Sequence, residues 1–585
     1  MEKQKKMQNL INKFKSMFSK ATPKKGAVLG GKKAKTNKKI VESKKSFKIP
    51  SISINVDSKL IEKLRLVFEK YIFLFVGICL TAVSTYFFIY YLQNKLGLNY
   101  NDARSHLDIG RRVVEGLKPG LAQLGSVWLP LNHVLMIPLV WNDWAWHSGF
   151  AGAFWNMLSF VGMGLLIYKI LEKLKVGYLG RIFGVIVASA NLNILYLQST
   201  AMTEPLLLFT MTAGCYYLIN WAKDDNILSL IKASFWVMLS TLVRYDGWFL
   251  LAFSAAIVGL ITLIKKGYKT TEGITILFLT MGAFGIFLWF GWNLLIFKDA
   301  LYFMLGPFSA HAQQQVMLEA GNLPTKGNVL LSTQIYMYSV IFNCIFLVAF
   351  FGFIGMITMW FDKTIKWEER LATVSLVSPL AFNIVSLVAG FSVLFIQGIS
   401  GNTWFNVRYG IMMMPAFGVF MGYLVNKLKD VRWVIIGLYA FVMFFAFANG
   451  DAVTIDDARV GSSQKNVSEV ASFLNKVAKD QKGYILISAA SHDAIIFSSG
   501  LPMTRFIHEG TGKYWEDAGA SPDRWARWIV MRTYDNADLT YKAVSKSPAF
   551  AKYKLVDSYP FADVYQLDDK YLGELNTEPT LGKQR

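Results

Sequence analysis

The sequence predicts a mainly α fold: a polytopic membrane helix bundle of about eleven spans, followed by a small soluble α/β domain at the C-terminal end. Three observations lead there. Of 585 residues, 54% are hydrophobic and only 17% charged, well short of the roughly one quarter charged in soluble domains. The apolar residues gather into runs, most of them near the roughly 20 residues that cross a bilayer as a helix. After Gly450 those runs stop, and short strand-like segments take their place.

The runs centre on residues 71–93, 148–168, 182–198, 204–221, 230–243, 246–264, 273–297, 333–360, 372–396, 409–426 and 432–449. Short basic loops resist translocation and set orientation. With the Lys-rich tail inside, "EKLKVGYLGR", "AKDDN", "KKGYK", "FDKTIKWEER" and "KLKDVR" all fall on the cytoplasmic side. The stretch from Ile231 to Lys266 is too long for one span, and reading it as one would invert every later basic loop. It is taken as two spans broken at Arg244–Asp246. The N-terminus is then cytoplasmic, the C-terminal domain exterior, and the plasma membrane the expected location.

Residues 1–66 form a basic tail. The first 50 residues hold sixteen lysines against two glutamates, which is fourteen of the net +22. In the opening stretch Met7, Leu10, Ile11, Phe14, Met17 and Phe18 share one helical face, with lysines opposite. Such a helix lies on anionic lipid, and "KKGAVLGGKKAKTNKK" reads as a disordered spacer. The membrane surface accounts for this tail better than RNA does, and no nucleic-acid partner is expected. Cys79, Cys215 and Cys344 each lie inside an apolar run, which excludes an exterior disulfide framework and makes cysteine metal sites an unsuitable reading.

The membrane module covers residues 67–450 and the exterior α/β domain 451–585. In the latter, Val467, Val470, Leu474 and Val477 mark one helical face, and "YILISA", "AIIFSSG", "TRFIHEG", "WIVMR", "KLVDSY" and "DVYQL" read as strands. The exterior loop from Lys298 to Ser332, with Gly306, Gly321, Gly327 and "HAQQQ", reads as a lid rather than a packed element.

All the unusual polar residues fall on one side. Asp102, Arg104 and His106 follow the first span; Glu204 opens the fourth; Arg244 and Asp246 separate the fifth and sixth; Arg408 opens the tenth. Ionisable residues at span ends are costly and are functional candidates by default. Each also has a plain structural reading. Asp102 can be the N-cap of the amphipathic helix "ARSHLDIGRRVVEGL", and Glu204 a first-turn acid favoured by the helix dipole. Arg244 and Arg408 can snorkel to the interface. His133 reads as packing, His311 as solvated, and Asp108 as an ordinary helix residue that tolerates Asn. Convergence on one side favours a shared functional role.

The acidic residue after the first span, opening a helix that ends "IGRRVVEGLKPG", resembles the large GT-C type glycosyltransferases that use polyprenyl-phosphate sugars. These include protein O-mannosyltransferases, lipid A aminoarabinose transferases and oligosaccharyltransferase catalytic subunits. "MTEPLLLF", "RYDGW" and "VRYGIMMMP" are similar to the polar stations of that family, and the resemblance spans residues 71–426. Asp102-Ala103 stands where the O-mannosyltransferases carry Asp-Glu, and the oligosaccharyltransferase Trp-Trp-Asp-x-Gly signature is missing, with only an echo in "KYWEDAG".

The resemblance implies transfer of a sugar from a polyprenyl-phosphate donor to an acceptor hydroxyl on a glycan, lipid or protein. Asp102 would be the general base, with Arg244 and Arg408 at the donor phosphate. Glu204, His106 and Asp246 would orient the acceptor or a divalent cation such as Mg or Mn, although their spacing is no metal signature. Three other readings stay open: a secondary transporter with these charges along its path, a polysaccharide polymerase or ligase using a similar lipid-linked donor, and a non-catalytic membrane scaffold whose C-terminal domain binds partners.

Overall fold

The computed structural model describes residues 58–576 apart from Phe308, Ser462 and Ser463, so the basic amphipathic segment and its lipid contact lie outside the described residues. The chain divides into two units, Met1–Leu64 and Arg65–Arg585, of which the second is described below. Within the second unit, six helices are long and apolar enough to cross a membrane: Lys70–Gln93, Phe150–Lys173, Asp246–Lys266, Trp367–Ala389, Val407–Lys427 and Lys429–Arg459. Two bent pairs, Tyr268–Gly282 with Phe284–Phe297 and Val329–Cys344 with Phe346–Phe361, raise the number to as many as eight. This is a membrane protein.

Length and composition thus give six to eight spans where the hydrophobic runs suggested eleven. The run 182–198 is interrupted, because Asn191 accepts from Ile194 N and starts a new helix after Tyr178–Ser189. The run 230–243 becomes a 15-residue helix, Ile227–Thr241. The proposed break before Asp246 is real: the next helix begins at Asp246, and the turn is tight. A Cβ on Gly247 would sit 2.2 Å from the Ser240 carbonyl oxygen, so only glycine fits there.

The sharpest bend, 108°, falls at Ile345, whose φ of +70° is costly for a β-branched residue. It lays Val329–Cys344 against the tight 3₁₀ stretch Val407–Met413. Side chains of the first satisfy carbonyls of the second: Ser339 Oγ and Asn343 Nδ2 donate to Val407 O at 2.7 and 2.6 Å, and Tyr336 OH to Tyr409 O at 3.2 Å. Irregular backbone at membrane depth requires such partners. Gly410 permits the approach, since a Cβ there would lie 2.2 Å from Ser339 O. This packing is what fixes Arg408.

The loops sort into two sets. At one end the basic loops meet one another: Lys265 pairs with Glu368 at 3.1 Å, Lys266 with Asp225 at 2.5 Å, Gly177 N donates to Asn426 Oδ1 at 2.9 Å, and Lys427 pairs with Asp362. At the other end, Tyr245 OH donates to Val127 O at 3.0 Å, Asn132 Nδ2 to Ala201 O at 3.2 Å, and Leu131 N to Leu242 O at 3.0 Å. Between the two sets run helices such as the 21-residue Glu204–Asp224, roughly 30 Å long. The loop expected to be a lid contains a helix, Ala310–Glu319, capped by Ser309 Oγ and tied through Gln314 Nε2 to Phe391 O at 2.6 Å.

The C-terminal part carries a five-stranded sheet in the order β2-β1-β3-β5-β4, with β1 Tyr484–Ile487, β2 Phe506–Ile507, β3 Ala526–Met531, β4 Tyr553–Ser558 and β5 Asp563–Leu567. "AIIFSSG" is not a strand; it belongs to the helix Ala489–Ser499. β1 and β2 are parallel neighbours, and a parallel pair needs a crossover connection, usually a helix. That helix packs on Asn101–Val114, and its Phe497 meets Trp146 of the short helix Asp143–His147 edge to face at 5.7 Å. One apolar core runs from Leu80 in the first span through Met136 to Ile485 and Val564 in the sheet.

Candidate functional site

Asp102, Glu204, Arg244, Asp246 and Arg408 meet in one ion-pair network at the end opposite the basic loops. Arg408 is its hub. Its Nη2 donates to Asp102 Oδ2 at 2.7 Å and its Nε to Glu204 Oε1 at 3.1 Å. The same Glu204 oxygen accepts from Arg244 Nη1 at 3.0 Å, and Arg244 also donates to Thr203 Oγ1 and Asp246 Oδ2, both at 3.1 Å. The Tyr409 ring lies against both guanidiniums, 5.0 Å from Arg244 and 5.4 Å from Arg408, a cation–π arrangement suited to Arg.

Exposure separates the carboxylates. The side chain of Asp102 is 40% exposed, whereas those of Glu204, Asp246 and Asp457 are 0%, 7% and 2%. Asp102 is not an N-cap: Tyr100 holds that place, and Asp102 lies inside the first turn of Asn101–Val114. Glu204 does open its helix with Pro205 next, as its first-turn reading expected, yet its carboxylate is spent on two arginines.

His106 is buried one turn beyond Asp102. Its Nδ1 is 2.8 Å from His133 Nε2, and its ring lies 4.6 Å from that of Trp128. Burial first, then Arg408 and Arg244, lower its pKa to about 3, so it is neutral at ordinary pH. Asp108 is no solvated helix residue. It is fully buried, and desolvation pushes its carboxyl well above the usual range. Among the described residues, no group of three or more His, Cys, Asp or Glu is placed to hold a metal ion; the carboxylates of Asp102 and Glu204 converge on guanidiniums instead.

No protein-family model matches the sequence, and no curated protein matches it either. Solved structures do match in shape. ArnT from Cupriavidus metallidurans bound to undecaprenyl phosphate superposes with a TM-score of 0.53 at 10% identity, over 86% of this chain and 98% of that one. Its apo form matches equally, at 0.53 and 10% identity, over 87% and 99%. The chain shares the fold of ArnT. A looser superposition, TM-score 0.45 at 11% identity over 79% and 69%, is found with the oligosaccharyltransferase AglB from Archaeoglobus fulgidus in complex with an inhibitory peptide and a dolichol-phosphate.

Within this fold the sequence reading missed part of the network. Asp457, on the helix Val453–Gly461 that follows Arg432–Asn449, stands 3.7 Å from Arg408 Nη1 and accepts from Tyr100 OH at 2.9 Å. Tyr100 in turn lies under Arg408, 4.9 Å from ring to guanidinium. The signal for Asp457 was available: "TIDDARV" puts acids just past a span end, as "NYNDARS" does after the first span. His133, read as packing, is the hydrogen-bond partner of His106.

Proposed function

We propose that this chain is an integral-membrane glycosyltransferase that moves a sugar from a polyprenyl-phosphate-linked donor to an acceptor hydroxyl at the exterior membrane face. The observation that carries the reading is the contrast in the ion-pair network: one reachable carboxylate, Asp102, beside two arginines clamped by buried acids. Asp102 takes the proton as the acceptor oxygen bonds to the anomeric carbon. The bond from that carbon to the phosphate oxygen breaks, and polyprenyl phosphate leaves with its charge stabilised by Arg244 and Arg408. Glu204 and Asp246, too buried to touch an acceptor, hold the arginines, and His133 holds His106. The acceptor is a glycan, lipid or protein hydroxyl.

A transporter usually places its coupling residues near the bilayer midplane, within broken or repeated helices. Here the network joins span ends, which favours transfer at the membrane surface. A polymerase or ligase with a similar donor shares this chemistry and differs only in acceptor. The direct test is binding of undecaprenyl phosphate to the purified chain in detergent. Arg244→Gln should weaken it by about tenfold or more; because the change also strips the buried Glu204 and Asp246 of a cationic partner, melting should fall as well, and binding is compared below the variant's melting temperature. Wild-type protein that binds no undecaprenyl phosphate sinks the proposal.

In a plasma-membrane orientation with the N-terminus inside, the basic-loop end is cytoplasmic and the sheet exterior. Single cysteines at Tyr268 and Lys554, both well exposed, placed in a Cys79→Ser chain, should react differently with an impermeant maleimide. Only the Lys554 site should label in intact cells. Labelling of both from outside overturns the orientation.

A further inference from the structure

Four carboxylates, Asp102, Glu204, Asp246 and Asp457, surround the guanidiniums of Arg244 and Arg408, in a site proposed to take a phosphate. Three of the four carboxylates crowd Arg408, and they do not crowd it equally. Asp102 and Glu204 bond it at 2.7 and 3.1 Å, while Asp457 stands back at 3.7 Å from Nη1, beyond ordinary hydrogen-bond reach.

Two contacts keep Asp457 at that distance. Its Oδ2 accepts from Tyr100 OH at 2.9 Å. Its helix is pinned from the other side, where Thr454 N and Oγ1 both donate to Asn193 Oδ1, at 3.0 and 2.8 Å. Asp457 is itself 2% exposed, so water screens its charge poorly. The Nη1 corner of Arg408 is therefore faced by a fixed anion that is close enough to compensate it and not bonded to it.

We propose that Asp457 is a positioning residue that substitutes for the donor phosphate at Arg408, and that Tyr100 restrains it so that the Nη1 corner stays open to a phosphate group. This rests on the reading that Arg408 faces the phosphate of a lipid-linked donor. Asp457 keeps a buried guanidinium compensated while the site is empty, and the same charge opposes the incoming phosphate. The affinity of the site is then set by a carboxylate that never touches substrate, contributed by the helix Val453–Gly461.

The proposal predicts opposite signs for two neighbouring substitutions. Asp457→Asn keeps the shape and an oxygen for the Tyr100 hydroxyl but loses the charge. Undecaprenyl phosphate, titrated into the purified full chain in detergent, should bind about tenfold tighter. Tyr100→Phe frees Asp457 to close on Nη1 and should weaken binding by about threefold or more. In the double variant the tyrosine effect should vanish, because its target charge is gone. A plain structural brace would instead make both single variants bind more weakly, and that pattern overturns the proposal. So does unchanged affinity in Asp457→Asn.

Inorganic phosphate titrated in parallel separates the two sources of the same chemistry. The same ordering with free phosphate assigns the corner to phosphate as such; the ordering with undecaprenyl phosphate alone assigns it to the lipid-borne group. Should Asp457→Asn fail to fold, Tyr100→Phe decides by its sign: loss supports the proposal, and unchanged or tighter binding overturns it. Failure of the underlying reading looks different, because wild-type protein would then bind no undecaprenyl phosphate or would ignore Arg244→Gln.

Discussion

Replacing Asp102 by Asn should lower turnover by about a hundredfold or more while leaving the protein folded and its donor binding intact or tighter. Asn preserves the shape and still offers an oxygen to Arg408 Nη2, which now bonds Asp102 at 2.7 Å. What it removes is a carboxylate able to take a proton. Because the Asp102 side chain is 40% exposed, its ion pair is screened, and the stability loss should stay within about 1 kcal/mol. The measurement is single-turnover transfer from a labelled polyprenyl-phosphate sugar, alongside a melting curve. Asp108 is unsuited as a control because it is fully buried; exposed Asp480 serves better, and its Asn variant should transfer normally. Near-normal transfer by Asp102→Asn would return the residue to a purely structural role.

Glu204→Ala should do the reverse and damage the fold together with the activity. The Glu204 Oε1 atom is the shared anchor of Arg408 and Arg244, at 3.1 and 3.0 Å, and its side chain is fully buried. Removing it strands two guanidiniums that are themselves only 8% and 17% exposed. Breaking a buried ion pair from one side typically costs about 3–5 kcal/mol, so melting in detergent should fall by many degrees. Glu204→Gln keeps an acceptor oxygen and should lie between Ala and wild type. Wild-type melting and turnover in the Ala variant would remove Glu204 from the network's support.

The two substitutions separate roles that the sequence merged. Each of the five network residues was visible as a charge at a span end, because burying a charge beside lipid is costly enough to leave a mark in composition. Which of them faces solvent was not visible, since exposure depends on how segments hundreds of residues apart close around one another. Asp457 was overlooked because it follows the last apolar run, where acids are unremarkable. Among the elements, the break before Asp246 was legible from length alone. The bend at Ile345 was not, because an unbroken apolar run gives no hint that its backbone adopts a φ of +70°. "AIIFSSG" misled by its β-rich composition, when the parallel pairing of β1 and β2 required a helix there.

The reach of the network along the chain bears on how the protein is made. Arg408 and Asp102 are 306 residues apart, and Tyr100 and Asp457 are 357 apart. At roughly 5–20 residues per second, Tyr100 leaves the ribosome about 20 to 70 seconds before its partner. In that interval Glu204, Arg244 and Arg408 emerge in turn, and the helix carrying Asp457 is the last part of the network to be added. The network therefore cannot close on an unfinished chain: its two arginines and four acids come together only when synthesis has passed the last of them.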